Sequence, residues 1–188
     1  MKRLSSILAV FIAVVLLCGV LSAPAAADTS GWAAEVVRLV NAERAKAGLP
    51  ALGGGNGALH AAARQRALEI STNYNASHRR PDGRDFATIL REYPVGPYTA
   101  WGENIAQGHA TPAAVVSSWM SSPGHRANIL SANYSHLGVG VHQSANGRIC
   151  WTLLFIRSGE NSPAPKTQSG LWQWIQYNLL FGWIFTRR

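Results

Sequence analysis

Apolar residues recur at helical spacing in the first half of the chain, and this pattern predicts two long helices. The first spans Gly31 to Ala47, and Gly48 provides the ending signal that helices favour. The second begins near Asn56 and is rich in alanine on its apolar side, which indicates close packing against another element. The residues that define this side are Leu59, Ala62, Ala63, Arg66, Ala67 and Ile70. His60 is predicted to lie on the surface of this helix.

A third, short helix is predicted from Phe86 to Tyr93, after a polar, turn-rich stretch that contains His78. The aromatic residues 93–101 are predicted to form a loop that leads into Gly102-Glu-Asn-Ile105. Within that motif, Asn104 is expected to fix a turn that presents Glu103.

Two helices are predicted to meet at a Ser-Pro-Gly-His sequence. Thr111 caps the first helix, and Pro123 stops it. Ser122 is expected to cap the second helix, with Pro123 in its first turn. This arrangement places His125 near a helix N-terminus, where the helix dipole disfavours protonation of the imidazole.

Residues 137–142 and 148–156 have the composition of β-strands, and Asn146-Gly147 is a hairpin signal between them. Both faces of the second strand carry apolar residues, so we expect it to be covered on both sides. Helices early and a compact sheet late predict an α+β fold built in layers.

The ends of the chain differ in composition from its middle. Residues 1–27 are typical of a signal peptide, with Lys2 and Arg3, an apolar run and a small-residue cleavage site at Ala25-Ala-Ala27. This leader predicts a secreted, extracellular or cell-envelope location. An uncleaved anchor is the alternative, because the apolar run is nearly long enough to span a bilayer.

Residues 158–170 have the composition of a linker, and residues 171–188 form an aromatic, apolar tail. Fifteen helical residues would span about 22 Å, which is shorter than a hydrocarbon core. The tail therefore suits contact with a membrane surface, and packing on the domain or on a partner chain is the alternative.

The net charge of +8 favours anionic envelope polymers or anionic lipid surfaces, and a solvated basic surface is the plainer explanation. Basic runs interleaved with aromatic residues are missing from the sequence, so nucleic-acid binding is not indicated. The two cysteines are Cys18, in the leader, and Cys150. An exported chain without its leader could not form an internal disulfide, and Cys150 is predicted to be a buried small hydrophobe.

Three residues carry the candidate chemistry: His78, Glu103 and His125. Two imidazoles and a carboxylate suit zinc or another divalent ion, and they could equally act as acid and base. The sequence contains no nucleophile elbow, no His-Glu-x-x-His helix and no phosphate-binding glycine loop.

Six stretches occur together in a characteristic order: Val40-Asn-Ala-Glu-Arg44 with Ala47-Gly-Leu49, residues 59–67, Ser77-His78, Gly102-Glu-Asn-Ile105, Trp119 to Leu130, and Leu137-Gly-Val-Gly-Val141. In these stretches the chain resembles the bacterial secreted branch of the CAP superfamily (SCP domain), which is related to cysteine-rich secretory and pathogenesis-related proteins. The resemblance implies a CAP domain at residues 28–157, folded as a three-layer αβα sandwich.

The resemblance also implies a cleft lined by two histidines and two acidic residues, with metal bound through the histidines in some members. His78, Glu103 and His125 match three of these positions, and His78 and His125 are the candidate zinc ligands. The fourth position falls on Ser122, which weakens the case for catalysis and lowers the expected metal affinity.

The preferred interpretation is a module that acts mainly by binding a peptide, an envelope polymer or a lipid through this cleft. One alternative is a metal-dependent hydrolase that uses His78, Glu103 and His125, with Glu103 as base to a metal-bound water. Another is a scaffold that docks to a membrane through residues 171–188.

Overall fold

The computed structural model describes residue 29 and residues 31–54, 57–74 and 77–159. Within these residues, three strands form one antiparallel sheet in the order β1, β3, β2. The strands are β1 (Tyr98–Gln107), β2 (His136–Gln143) and β3 (Ile149–Ser158). The α-helices in the same part of the chain are α1 (Trp32–Lys46), α2 (Gly57–Thr72), α3 (Ile89–Glu92), α4 (Pro112–Ser121) and α5 (Pro123–Ile129), and a 3-10 turn at Phe86–Thr88 leads into α3.

The central strand β3 is buried on both faces, as its apolar pattern predicts. On one face, Trp151 and its odd-numbered neighbours pack with α1, α4 and α5 in one hydrophobic cluster. On the other face, Leu154 and Ile156 pack with α2 and α3. Cys150 is fully buried on this second face, against Ile70 of α2. The result is a sheet between two helical layers, and the predicted α+β fold with three αβα layers is confirmed.

Strand β2 and helix α2 approach each other at the level of their backbones. A Cβ atom at Gly138 would overlap the carbonyl oxygen of Leu59, and one at Gly140 would overlap that of Ala63. Only glycine fits such a close approach. The Leu-Gly-Val-Gly-Val motif therefore sets the distance between α2 and the sheet, and with it the position of the side chains that α2 points toward β1.

Arg44 ties α1 to the end of α5. Its side chain is fully buried, and it donates to the carbonyl oxygens of Pro50 at 2.9 Å, Ile129 at 2.8 Å and Ser131 at 2.7 Å. Ile129 is the last residue of α5, where helix carbonyls lack partners within the helix. The guanidinium satisfies these groups and fixes the C-terminal end of α5 against α1.

The fold corrects the predicted environment of His60 and the predicted end of β3. His60 is not a simple surface residue, because its Nδ1 accepts from the amide of Val139 at 3.0 Å and its Nε2 donates to the carbonyl oxygen of Gly54. It therefore links α2 to β2. Strand β3 runs to Ser158, two residues past the predicted end of the strand at residue 156.

The predicted loop at residues 93–101 is the largest error, because β1 already begins at Tyr98. Glu103 and Asn104 occupy the middle of this strand and are buried polar residues. Their burial hides the alternation of apolar and polar positions that identifies a strand. Asn104 consequently lies within a strand and not on a turn.

The predicted signal peptide (1–27), the linker from residue 160 onward and the aromatic tail (171–188) lie outside the described residues. In the part of the chain that the structure describes, no helix combines the length and the apolar composition needed to cross a membrane.

Candidate functional site

The turn between α4 and α5 places His125 at the third position of α5. The Thr111 side chain accepts from the amide of Ala114 and caps α4, as expected. Helix α4 ends at Ser121, and Pro123 opens α5. The side chain of Ser122, however, makes no capping hydrogen bond, so the predicted side-chain cap is wrong; the helix begins instead through its carbonyl, which accepts from the amide of Arg126 at 2.8 Å.

Strand β1 lies at the edge of the sheet, and side chains close its outer side. Backbone carbonyls of alternate residues point away from the partner strand in an antiparallel pair. Three successive outward carbonyls of β1 each accept a side-chain hydrogen bond. The bonds are those of Tyr134 Oη to Trp101 (3.1 Å), Asn128 Nδ2 to Glu103 (3.2 Å) and Trp119 Nε1 to Ile105 (3.3 Å). The edge is thereby protected from pairing with another strand.

Asn104 connects β1 to the helix that carries His125. Its side chain is fully buried and donates to the carbonyl oxygen of His125 at 3.0 Å. Its own oxygen accepts from Asn128 Nδ2 at 2.9 Å. These two bonds fix the first turn of α5 against β1, so the position of His125 is set by the buried amide of Asn104 and the half-buried amide of Asn128.

Glu103 is buried and uses both carboxylate oxygens within the protein. Oε1 accepts from Arg66 Nε of α2 at 2.7 Å, and Oε2 accepts from His78 Nδ1 at 2.6 Å. The side chains of Arg66 and Glu103 are both fully buried, whereas that of His78 is 35% exposed. Because Nδ1 donates to the carboxylate, the lone pair of a neutral His78 ring lies on Nε2.

His78 adopts a left-handed backbone conformation, with φ of 61°. Residues other than glycine seldom do so, and such conformations persist where the surrounding structure fixes them. Here the amide of Phe86 donates to the His78 carbonyl at 3.2 Å, and the two rings meet edge-on at a centroid distance of 6.1 Å. Backbone and ring of His78 are therefore both held in place.

An ion network lies behind the Glu103 carboxylate. Arg66 also contacts Glu69 at 3.3 Å, and Glu69 in turn pairs with Arg80 at 2.6 Å. Arg66 further donates to the carbonyl oxygen of Arg79, next to His78, at 3.2 Å. The network thus joins α2, β1 and the His78 segment into one unit.

The sequence interpretation included Arg66 on the packing side of α2 but gave it no role. The available signal was a charged residue among the buried alanines of a helix, since buried charges require partners.

The chain segments that carry His78 and His125 contact opposite faces of β1. Glu103 pairs with Leu154 of β3 and Asn104 with Leu153, so their side chains point to opposite faces of the sheet. His78 contacts Glu103 on the α2 face, and His125 is held by Asn104 on the α5 face. The structure therefore joins His78 directly to Glu103 and fixes His125 through the neighbouring residue.

Burial lowers the pKa of His125, and the positive charge of a protonated His78 lowers it further. The direction is the one predicted from the helix dipole, although burial is the larger cause. His125 is consequently neutral near pH 7, which is the form that binds a metal or accepts a hydrogen bond.

The donors available for a metal ion are few. Among the described residues, no group of three or more His, Cys, Asp or Glu side chains is placed to hold a metal ion. Ser122, which the resemblance predicts at the fourth position of the cleft, is half-buried and carries no carboxylate. His78 and His125 remain the candidate pair, and the bond from His78 Nδ1 to a carboxylate is the arrangement that typically supports a metal-bound imidazole.

Comparison with known sequences identifies the family of this chain and an extended relative. The model of the cysteine-rich secretory protein family, CAP, matches residues 37–155. The uncharacterized protein YkwD of Bacillus subtilis is 38% identical over 135 residues, which make up 72% of this chain and 50% of that protein. The chain thus spans about half the length of this curated relative.

The fold also occurs in solved structures, among them two bacterial proteins. An extracellular protein of Bacillus anthracis that contains an SCP domain superposes with a TM-score of 0.61 and 29% identity, over 69% of this chain and 41% of that one. An outer surface protein of Borrelia burgdorferi superposes with a TM-score of 0.62 over 71% of this chain and 97% of that one. At 18% identity, the second shows the fold alone.

Proposed function

This chain belongs to the cysteine-rich secretory protein family, and from that premise we propose that it is a secreted or envelope-associated module that acts mainly by binding a ligand through His78 and His125. The leader and the extracellular origin of the Bacillus anthracis relative support this location. Family membership alone does not give the ligand, because one fold serves many functions.

The observation that carries the proposal is that both carboxylate oxygens of Glu103 accept hydrogen bonds from side chains of the protein. Arg66 occupies one carboxylate oxygen and His78 the other, at 2.7 and 2.6 Å. Each oxygen keeps a second lone pair, but the Glu103 side chain is fully buried, and a general base must lie within hydrogen-bond reach of the proton that it takes. Glu103 therefore serves to hold His78, and this favours binding over the hydrolase in which Glu103 would be the base.

We expect a ligand to contact Nε2 of His78, because Nδ1 is bonded to Glu103 and the ring is only half-buried. His125 adds a second imidazole that stays neutral near pH 7, because burial lowers its pKa. Two neutral imidazoles can bind Zn²⁺ or accept hydrogen bonds from a polar ligand. A zinc ion held by this pair would take its remaining ligands from water or from the bound molecule, and it would supply a Lewis acid there.

Zinc titration of the metal-stripped full chain by calorimetry tests the site. We expect the parent to bind one Zn²⁺ and the double variant His78→Ala, His125→Ala to lose this binding. His142→Ala is the matched control, because His142 is a half-buried histidine of β2 away from the pair, and it should bind like the parent.

Two results would refute the proposed site. One is a parent that binds no zinc, since the two imidazoles would then share no ligand. The other is unchanged zinc binding in the double variant. Thermal unfolding of each variant, followed by circular dichroism, separates loss of the site from loss of the fold.

A further inference from the structure

One large apolar side chain close to Glu103 is exposed. Among the described residues, the exposed large hydrophobic residues are Leu68, Tyr74 and Trp101, and Trp101 has the greatest exposure at 48%. Exposed indoles are common at recognition sites, because they offer a flat apolar surface with a polar edge.

Trp101 lies on the same face of β1 as Glu103. The two residues are separated by one position and pair with Ile156 and Leu154 of β3, which both pack toward α2. Two residues along a strand span about 7 Å. The indole is therefore a near neighbour of the carboxylate that holds His78.

The Trp101 ring is supported from one side. Tyr98 meets it edge-on at a centroid distance of 5.9 Å and an angle of 80°. Tyr98 packs against the same hydrophobic cluster as Phe86, whose ring contacts His78. The Trp101 ring and the His78 imidazole thus both contact side chains of one hydrophobic cluster.

The edge of β1 argues against two classes of ligand. An extended peptide that adds to a sheet needs free backbone groups, but the outward carbonyls of Trp101, Glu103 and Ile105 already accept side-chain hydrogen bonds. An acyl chain needs a broad apolar surface, and few large apolar side chains of the described residues are exposed. A ligand with polar edges and a small apolar face fits this surface better.

Charge further narrows the class of ligand. Arg79 and Arg126 directly follow His78 and His125 in the chain, and both are exposed. Arg79 donates to the carbonyl oxygen of Gly83, and within the described residues neither guanidinium forms an ion pair. The whole chain is basic, at +8. An anionic ligand is attracted to such a surface.

Resting on the proposed function, we infer that the ligand is an acidic saccharide, with one sugar ring stacked on Trp101. A sugar ring presents an apolar C–H face to the indole and hydroxyl groups at its rim. Those hydroxyl groups reach the free Nε2 of His78, and the acidic groups lie toward Arg79 and Arg126. Sites for small polar ligands commonly combine one aromatic surface with a few placed polar groups.

Calorimetric titration of the full chain with hexagalacturonic acid, and separately with neutral N-acetylchitohexaose, tests this inference. We expect the acidic oligomer to bind and Trp101→Ala to weaken it about tenfold or more. Trp101→Phe should retain part of the affinity. Leu68→Ala is the matched control, since Leu68 is an exposed apolar residue of α2.

Added salt and the double variant Arg79→Ala, Arg126→Ala should both weaken binding of the acidic oligomer. No binding of either oligomer would overturn the inference, as would equal affinity for both. An effect of Trp101→Ala no larger than that of Leu68→Ala would do the same. Loss of zinc binding in the histidine variant beside any of these results would leave the proposed site standing and remove only its saccharide ligand.

Discussion

Replacing Arg66 by methionine tests whether the buried ion network supports the site. Methionine keeps much of the apolar stem of arginine and removes the guanidinium that bonds Glu103 at 2.7 Å. Both side chains are fully buried, so the Glu103 carboxylate would lose its arginine partner and keep only the bond from His78. Glu69 would still have Arg80 at 2.6 Å. The loss of stability in Arg66→Met therefore comes chiefly from the buried Glu103 carboxylate.

Removing one partner of a buried ion pair costs about 3–5 kcal/mol, because the remaining charge is uncompensated. The total stability of a domain is about 5–15 kcal/mol, so Arg66→Met should remove a large part of it. Urea unfolding followed by circular dichroism measures this loss. Arg38→Met is the matched control, because Arg38 pairs with Glu35 on the exposed side of α1 and its replacement should leave the midpoint unchanged.

The double variant Arg66→Met, Glu103→Gln separates the charge from the packing. A neutral amide needs no cation, so the double variant should be more stable than Arg66→Met alone. A loss of less than about 1 kcal/mol in Arg66→Met, which is the usual effect of a point substitution, would refute this prediction. Failure of Glu103→Gln to recover stability in the Arg66→Met background would refute it equally.

Further predictions concern the backbone contact and the titration of the site. Gly140→Ala should lower the free energy of unfolding by roughly 1–3 kcal/mol in urea unfolding, because its Cβ would overlap the carbonyl oxygen of Ala63. Gly124→Ala is the control and should be nearly neutral, since the space around Gly124 is open. His125 should titrate below its ordinary value of 6.5 in an NMR titration, and His78→Ala should raise its midpoint by removing a nearby positive charge. Since the folded pKa is the lower one, the unfolded state binds more protons as the pH falls below about 6.5. Protonation of His125 therefore lowers the stability of the fold toward acid pH. We expect the urea midpoint of His125→Ala to fall less than that of the parent between pH 7.5 and pH 5.

The layered fold could be predicted because its main elements follow simple patterns. The helical spacing around Val36 and Val40, and the apolar residues on both faces of β3, each indicate one kind of burial. Strand β1 could not be identified in the same way, since Glu103 and Asn104 are buried by their partners and not by apolar character. Strand β1 therefore lacks the alternation of apolar and polar positions by which a strand is usually identified.

The candidate residues of the site could be found from the sequence, but their arrangement could not. His78 depends on a left-handed backbone conformation, and loop spacing does not predict where such a residue points. The role of Arg66 depends on how close α2 lies to β1, which the glycines of β2 set at a distant point in the chain. Such contacts arise only when the layers pack.

The positions of the two histidines and the choice of ligand depend on different sets of residues. Arg66, Glu103 and Asn104 are buried. Arg66 bonds Glu103, which holds His78, and Asn104 holds His125, so a change in any of them alters both stability and the placement of an imidazole. Trp101 and Arg126 are exposed, so a change in either alters ligand contacts and leaves the packing intact. The same buried frame could therefore present its two imidazoles to different ligands as the exposed residues change. For this chain, the exposed indole and the basic surface favour a ring with acidic groups.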